Sequence, residues 1–282
     1  MDASAAPAVA IVDDLRLSYT VRGTGEPVVL IHAGVLADWF WPLLHEPLLM
    51  DRFRLVSYHR VNYGSSSRGR APMSVAQQAQ HCRRLLRQLG IGRAHVVGHS
   101  AGAAIALQLA HDAAEVVHSL TVMDAAITPG SAARPGTPPF LRALMEQHEA
   151  GDSAGAVDGF MRAVCGEAWR EVVAKHLPPG ALMQAEADAD GLFRQEIPAL
   201  LAWRFSADHA RRVTCPTLVV AGADSPPVFA ERQQLLLEWL PRADAFTLPG
   251  AGHLLHLEQP QAFTRALAGF LARHPMHARP AC

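Results

Sequence analysis

Apolar positions along the chain follow two periodicities. Residues 15–21 alternate apolar and polar side chains and predict a strand with one buried face, whereas Val28, Val29, Leu30 and Ile31 follow one another within residues 27–32. An unbroken apolar run of that length, bounded by polar residues, predicts a strand covered on both faces. Residues 53–58, 95–99, 116–123, 216–221 and 243–248 predict further short strands. Helical spacing marks residues 74–89, 101–111, 226–240 and 259–273. In the first of these Ser74 is placed to cap the N-terminus, Val75, Leu85, Leu86 and Leu89 share one face, and Gly90 supplies a C-terminal stop.

Strand and helix alternate, which predicts an α/β fold: a mainly parallel central sheet with helices on both faces. The alternation lapses once, across residues 125–214. This stretch opens with a Pro/Gly/Ser-rich passage at residues 128–139 and continues in helical pattern through Leu141, Leu144, Met145, Phe160, Met161 and Val164. It is too long for a loop in a compact domain and predicts an inserted helical subdomain. The expected organisation is a core of residues 1–124 and 215–282 interrupted by the insertion 125–214.

Composition narrows the function. With 25 Lys+Arg against 26 Asp+Glu the formal charge is −1, so neither a nucleic acid nor an anionic membrane surface is an expected partner. Half of the residues are hydrophobic and 18% charged, enough apolar material for a large core. The four cysteines, Cys82, Cys165, Cys215 and Cys282, form no C-x-x-C pair and read as reduced thiols. The N-terminus carries no basic signal-peptide region, and the weakly charged run 94–110 is too short for a membrane span, so a cytoplasmic protein is expected. Fifteen histidines form no H-E-x-x-H or other tight ligand spacing, and no glycine-lysine phosphate loop is present. Neither a metal nor a cofactor is expected.

One segment carries chemistry. Gly98-His99-Ser100-Ala101-Gly102 lies between an apolar strand and a small-residue helix. A G-x-S-x-G motif in that setting sets the serine at a sharp strand-to-helix turn, and the glycines let strand and helix pass closely. The helix then directs its N-terminal amides, Ala101 N–H first, at the place where a negative oxygen would form next to Ser100.

On these residues the chain resembles the α/β-hydrolase superfamily over almost its whole length. The resemblance implies a catalytic order of serine, acid, histidine. Gly250-Ala251-Gly252-His253, followed by Glu258-Gln259-Pro260, is similar to the family's histidine loop and makes His253 the implied base, with His256 its competitor and otherwise a supporting or surface imidazole. Asp224, in Ala223-Asp224-Ser225 after the strand 216–221, is the implied acid, although Gly222 precedes it by two places where the family commonly has three. Asp124, at the end of the preceding strand, is the alternative acid. His32-Ala33-Gly34 resembles the family's oxyanion loop, which gives Gly34 N–H as the second donor beside Ala101, with His32 holding the loop. Tyr58-His59-Arg60-Val61-Asn62-Tyr63-Gly64 is similar to a family turn of structural role, in which Asn62 stands at a left-handed position.

The resemblance also implies that the insertion covers Ser100. Trp203 is the first candidate for the pocket wall, followed by Trp39, Trp41 and Met145. Without an Arg/Lys cluster on the implied catalytic loops, a neutral, fairly hydrophobic carboxylic ester is the expected small-molecule substrate, cleaved through an acyl-enzyme. A lactone, a thioester, a carbon–carbon bond or acyl transfer would use the same triad, and a non-catalytic ligand-binding protein on the same fold is the contrasting class. Oligomeric state is not legible in the sequence.

Overall fold

The computed structural model describes residues 7–69, 72–127 and 136–276. Eight strands form one sheet in the order β1-β2-β4-β3-β5-β6-β7-β8. They are β1 (Ala8–Val12), β2 (Leu15–Arg22), β3 (Glu26–Ile31), β4 (Phe53–Tyr58), β5 (Ala94–His99), β6 (Val117–Met123), β7 (Thr217–Gly222) and β8 (Ala243–Leu248). β1 and β2 pair antiparallel, as do β2 and β4; every other pairing is parallel. Ahead of β6 the helices are α1 (Pro47–Met50), α2 (Val75–Gln88) and α3 (Ala101–Asp112). Between β6 and β7 come α4 (Pro139–Glu149), α5 (Ser153–Cys165), α6 (Trp169–His176), α7 (Ala181–Ala187), a π-helical turn Gly191–Glu196, α8 (Ile197–Ala202) and α9 (Ala207–Ala210). α10 (Pro227–Trp239), α11 (Leu255–Glu258) and α12 (Pro260–Arg273) complete the chain.

The apolar run of β3 behaves as its sequence demands. Val28 and Leu30 enter one buried cluster with Leu218 and Val220, whereas Val29 and Ile31 enter the other with Val96, Leu120 and Val219. Successive side chains point to opposite faces, so a strand buried on both sides must be apolar at every position. The predicted strands and the helices α2, α3, α10 and α12 all form, within a residue or two of the predicted ends. Ser74 caps α2 reciprocally with Gln77.

β1 is an addition to the sequence reading. Its sequence is apolar throughout, yet only Ala10 and Val12 are buried while Val9 and Ile11 are exposed. The hairpin to β2 turns on Asp13 and Asp14, both at positive φ (49° and 64°). Aspartate tolerates that region, which is what a two-residue turn matched to strand twist requires.

The inserted helices divide between the two faces. Val157, Met161, Trp169, Val173 and Phe193 join the cluster that holds Trp39 and Leu30. Trp203, Phe205 and Ala210 join the opposite cluster with Leu107 of α3, so the last part of the 125–214 stretch packs on a helix that covers the sheet. Of the Pro/Gly/Ser-rich passage, residues 128–135 lie outside the described residues, as does Cys282. Among the described residues no helix is long and apolar enough to cross a membrane.

Candidate active site

Parallel strands place their carboxyl ends, and the loops that follow, at one edge of the sheet. Ala33-Gly34 follows β3, Ser100 follows β5, Asp124 follows β6, Ser225 follows β7 and His253 follows β8. Three of these loops contain strained backbone: Val35, Ser100 and Asp124 have φ of 71°, 53° and 38°. Non-glycine residues there cost energy and persist only where surrounding structure over-determines them.

At Ser100 the turn is held by its own backbone. Its N–H donates to Met123 O at 2.9 Å, and its carbonyl accepts from Ala103, Ala104 and Ala126 N–H. A Cβ on Gly98 would collide with Gly102 O, and one on Gly102 would collide with Ile31 O and His32 O. Both glycines of the motif are thus required by close approach of backbone to backbone.

His253 is buried against two rings. Phe229 stacks on it with centroids 4.3 Å apart at 19°, and the His99 ring lies 4.6 Å away, tilted by 42°. Its Nδ1 faces Asp124 Oδ2 at 2.9 Å, so an Nδ1–H donated to the carboxylate leaves Nε2 as the acceptor. Asp124 is buried, and the same Oδ2 accepts the Ser225 Oγ–H at 2.6 Å, while Oδ1 accepts from Gly222 N–H at 3.3 Å.

The geometry places Asp124, and not the expected Asp224, against His253. Asp224 is exposed, its backbone N–H donates to Ala251 O at 2.9 Å, and its carboxylate makes no hydrogen bond to His253. The missing residue of spacing is the reason: the third position after Gly222 is Ser225, and Ser225 is the side chain that turns inward, to Asp124. The departure in spacing, taken with an aspartate at the end of β6, is the sequence signal that pointed to this arrangement.

The Gly34 loop is pinned from below. His32 Nε2 accepts from Arg60 N–H at 2.9 Å, which fixes its Nδ1–H as donor to Ala33 O at 2.6 Å. Burial, then the neighbouring Arg60 charge, hold His32 well below the usual imidazole range, so it stays neutral. The Arg60 guanidinium donates to Ala33 O at 3.1 Å and Gln78 Oε1 at 2.7 Å, and forms a buried ion pair with Glu196. Burial is the largest single influence and opposes the Arg60 charge, but Glu196 together with Tyr63 and Tyr58 makes the net shift upward. Glu196 Oε1 sits over Gly34, where a Cβ would strike it. Sequence reasoning missed Glu196, which comes from the insertion and has no local motif. Asn62, at φ 75°, adopts the expected left-handed turn, and its side chain accepts from Gly69 N–H.

A cavity of about 680 Å³ opens on these loops. Ser100, His253, Gly34 and Ala101 line it together with Trp39, Phe140, Phe160, Met161 and Leu192. Of the four expected wall residues Trp39 is present and the others are not. Trp203 turns away to stack on Phe205, and its Nε1–H donates to Gln108 Oε1 at 2.6 Å. Trp41 packs against His45 with centroids 4.4 Å apart, and Met145 packs on the apolar cluster outside the cavity wall. Trp203→Phe, which removes the donor to the half-buried Gln108 Oε1 while the Gln108 NH₂ keeps Asp112, is expected to lower stability by about 1 kcal/mol in urea denaturation with KM unmoved. A rise in KM at unchanged stability would return Trp203 to the pocket.

His256 is a supporting residue rather than a surface one. It is buried, its Nε2–H donates to Trp39 O at 2.7 Å, and burial lowers its pKa to about 4. His99 is held low by burial and by the two neighbouring histidines; it stacks on Trp39 with both ring nitrogens free of hydrogen bonds. Donor atoms of His99, Asp124 and His253 lie within 4.8 Å of one another, a spacing that could hold a metal ion. A metal there would have to replace the Asp124–His253 hydrogen bond.

Comparison with known proteins agrees with this architecture. Residues 28–266 match the model of the alpha/beta hydrolase family. The chain is 28% identical over 262 residues to a protein of Azorhizobium caulinodans named as a carbamate hydrolase, RutD, covering 91% of this chain and 95% of that one. It is 25% identical over 271 residues to 2-hydroxy-6-oxo-6-(2'-aminophenyl)hexa-2,4-dienoic acid hydrolase of Metapseudomonas resinovorans, covering 90% and 87%. Among solved structures, a thermophilic esterase from Thermogutta terrifontis superposes with a TM-score of 0.79 at 24% identity, over 96% of this chain and 100% of that one.

Proposed function

The chain belongs to the alpha/beta hydrolase family, and on that footing we propose that it is a serine hydrolase that cleaves a carboxylic ester with a fairly hydrophobic body through an acyl-enzyme. The observation that supports this reading best is the buried hydrogen bond from His253 Nδ1 to Asp124, 2.9 Å long, at the wall of the cavity that Ser100 lines. A serine hydroxyl attacks a carbonyl only when a base removes its proton, and the base works only in the right tautomer. In the proposed cycle Ser100 Oγ attacks the ester carbonyl and His253 Nε2 takes the proton. Asp124 holds the imidazole and stabilises its charged form. Gly34 and Ala101 N–H hold the oxyanion, His253 returns the proton to the leaving alcohol, and water attacks the acyl-enzyme by the same route in reverse.

The Arg60–Glu196 pair fits that cycle. A lone carboxylate over Gly34 would repel a forming oxyanion, and the Arg60 guanidinium balances it. The inserted helices act in this reading as a cap that supplies Phe160, Met161 and Leu192 to the cavity, an apolar surface suited to an acyl chain.

Treatment with a fluorophosphonate, which traps activated serines, is expected to give one adduct on the peptide containing Ser100 and none in Ser100→Ala. Folded protein with no adduct at Ser100 would remove the nucleophile and the proposal with it. A panel of short and medium acyl esters, lactones, thioesters and vinylogous diketones then ranks bond types by Ser100-dependent turnover, and a panel led by any class but esters replaces the ester reading.

A further inference from the structure

One cation faces the cavity without a counter-ion. Among the described residues Arg232, on α10, is the only arginine or lysine that lines it, and it forms no ion pair. The single carboxylate among the described lining residues, Glu196, is already matched by Arg60. The Arg232 guanidinium lies 5.3 Å from the centroid of Phe229, one turn earlier on the same helix face, and Phe229 in turn stacks on His253. Phe229 thus contacts both the guanidinium and the proposed base.

A partly buried guanidinium is costly to keep unpaired. Burial lowers its pKa, and Asp124 and Glu231 offset this only at longer range. Asp124 is itself committed to His253 and Ser225. A planar fork of N–H donors in an otherwise apolar wall is suited to one planar anion.

We propose that Arg232 is a substrate-binding residue that pairs with a carboxylate of the substrate, so that the natural substrate is an ester with an apolar body and one acid group at the Phe229 side of the cavity. This rests on the serine-hydrolase reading above, and it modifies the expectation of a wholly neutral substrate. Sequence alone hid it, because Arg232 stands on a helix eight residues past Asp224 and not on a catalytic loop.

The carboxylate belongs either to the acyl part or to the alcohol, and two matched pairs of chromogenic esters separate these. In one pair the acyl chain ends in a carboxylate or in a methyl group; in the other the nitrophenyl leaving group does or does not carry a carboxylate. The readout is the ratio of kcat/KM, charged over neutral, in each pair. In at least one pair the wild-type ratio is expected to exceed one by about ten- to a hundredfold, the range of a charge-assisted hydrogen-bonded pair. That ratio should collapse toward one in Arg232→Met, be partly restored in Arg232→Lys, and shrink with added salt. A ratio near one in both pairs for the wild type overturns the proposal, as does an equal ratio in wild type and Arg232→Met. If turnover of both pairs survives Ser100→Ala, the hydrolase reading has failed and this one falls with it. If turnover needs Ser100 while the ratios stay at one, only the Arg232 assignment is lost.

Discussion

Asp124→Asn is expected to lower kcat/KM on a Ser100-dependent ester by about 10⁴-fold, the size of effect that follows when a serine hydrolase loses its tautomer-orienting carboxylate. The buried Asp124 Oδ2 receives two donors, His253 Nδ1–H and Ser225 Oγ–H. An asparagine amide offers one oxygen and one NH₂ group in place of two oxygens, so with its oxygen at the Oδ2 position it would set its NH₂ against Gly222 N–H, donor against donor. With its NH₂ toward His253 it would select the imidazole tautomer protonated at Nε2, and Nε2 could no longer take the Ser100 proton. The carboxylate also loses its stabilisation of the imidazolium formed on attack, a charge that in a buried site has little solvent to fall back on. The paired control is Asp224→Asn. Asp224 is exposed, and removing an exposed charge is expected to change kcat/KM by no more than about twofold. Steady-state kinetics on one chromogenic ester decides it: a large loss in Asp224→Asn with little change in Asp124→Asn would reverse the assignment.

The two aspartates also show where sequence reading reaches its limit. Ser100 sits in a local pattern that the chain must have for steric reasons, as the collisions at Gly98 and Gly102 demonstrate, and His253 in a short glycine-flanked loop before a helix. The acid has no such pattern. β6 and β7 are adjacent parallel strands, so residues just past either end reach the same space, and choosing between Asp124 and Asp224 turned on one residue of loop spacing. Ser225 filled the position that spacing assigns. Trp203 was misplaced for a related reason. Its size and apolarity suit a core or a pocket equally, and what settled the matter was the Gln108 amide presented by α3, a partner 95 residues away in sequence. The central strands were legible because burial on both faces forces an unbroken apolar run, whereas β1 is an apolar run in an Ala-rich terminus with Ala10 and Val12 alone buried.

The Arg60–Glu196 pair lies at the far end of that scale, with a long-range effect and no sequence signature. It joins the turn after β4 to the π-helical turn of the insertion, and both side chains are buried, at 2% and 4% exposure. Removing one member of such a pair leaves a charge with neither partner nor water, a loss of about 3–5 kcal/mol. Glu196→Gln keeps the shape and deletes the charge, so it is expected to be destabilised by about that amount and to lower the thermal midpoint by roughly 10 °C. Arg60→Met should cost as much or more, since Ala33 O and Gln78 Oε1 also lose a donor. Removing both charges in Arg60→Met/Glu196→Leu should restore part of the loss, because a buried ion pair contributes less than the penalty for breaking it. That non-additivity, measured by urea denaturation of the four proteins, distinguishes an ion-pair clasp from two independent packing positions. Strictly additive losses, or a Glu196→Gln variant within about 1 kcal/mol of wild type, would mean that the insertion is held over Gly34 by its apolar contacts alone.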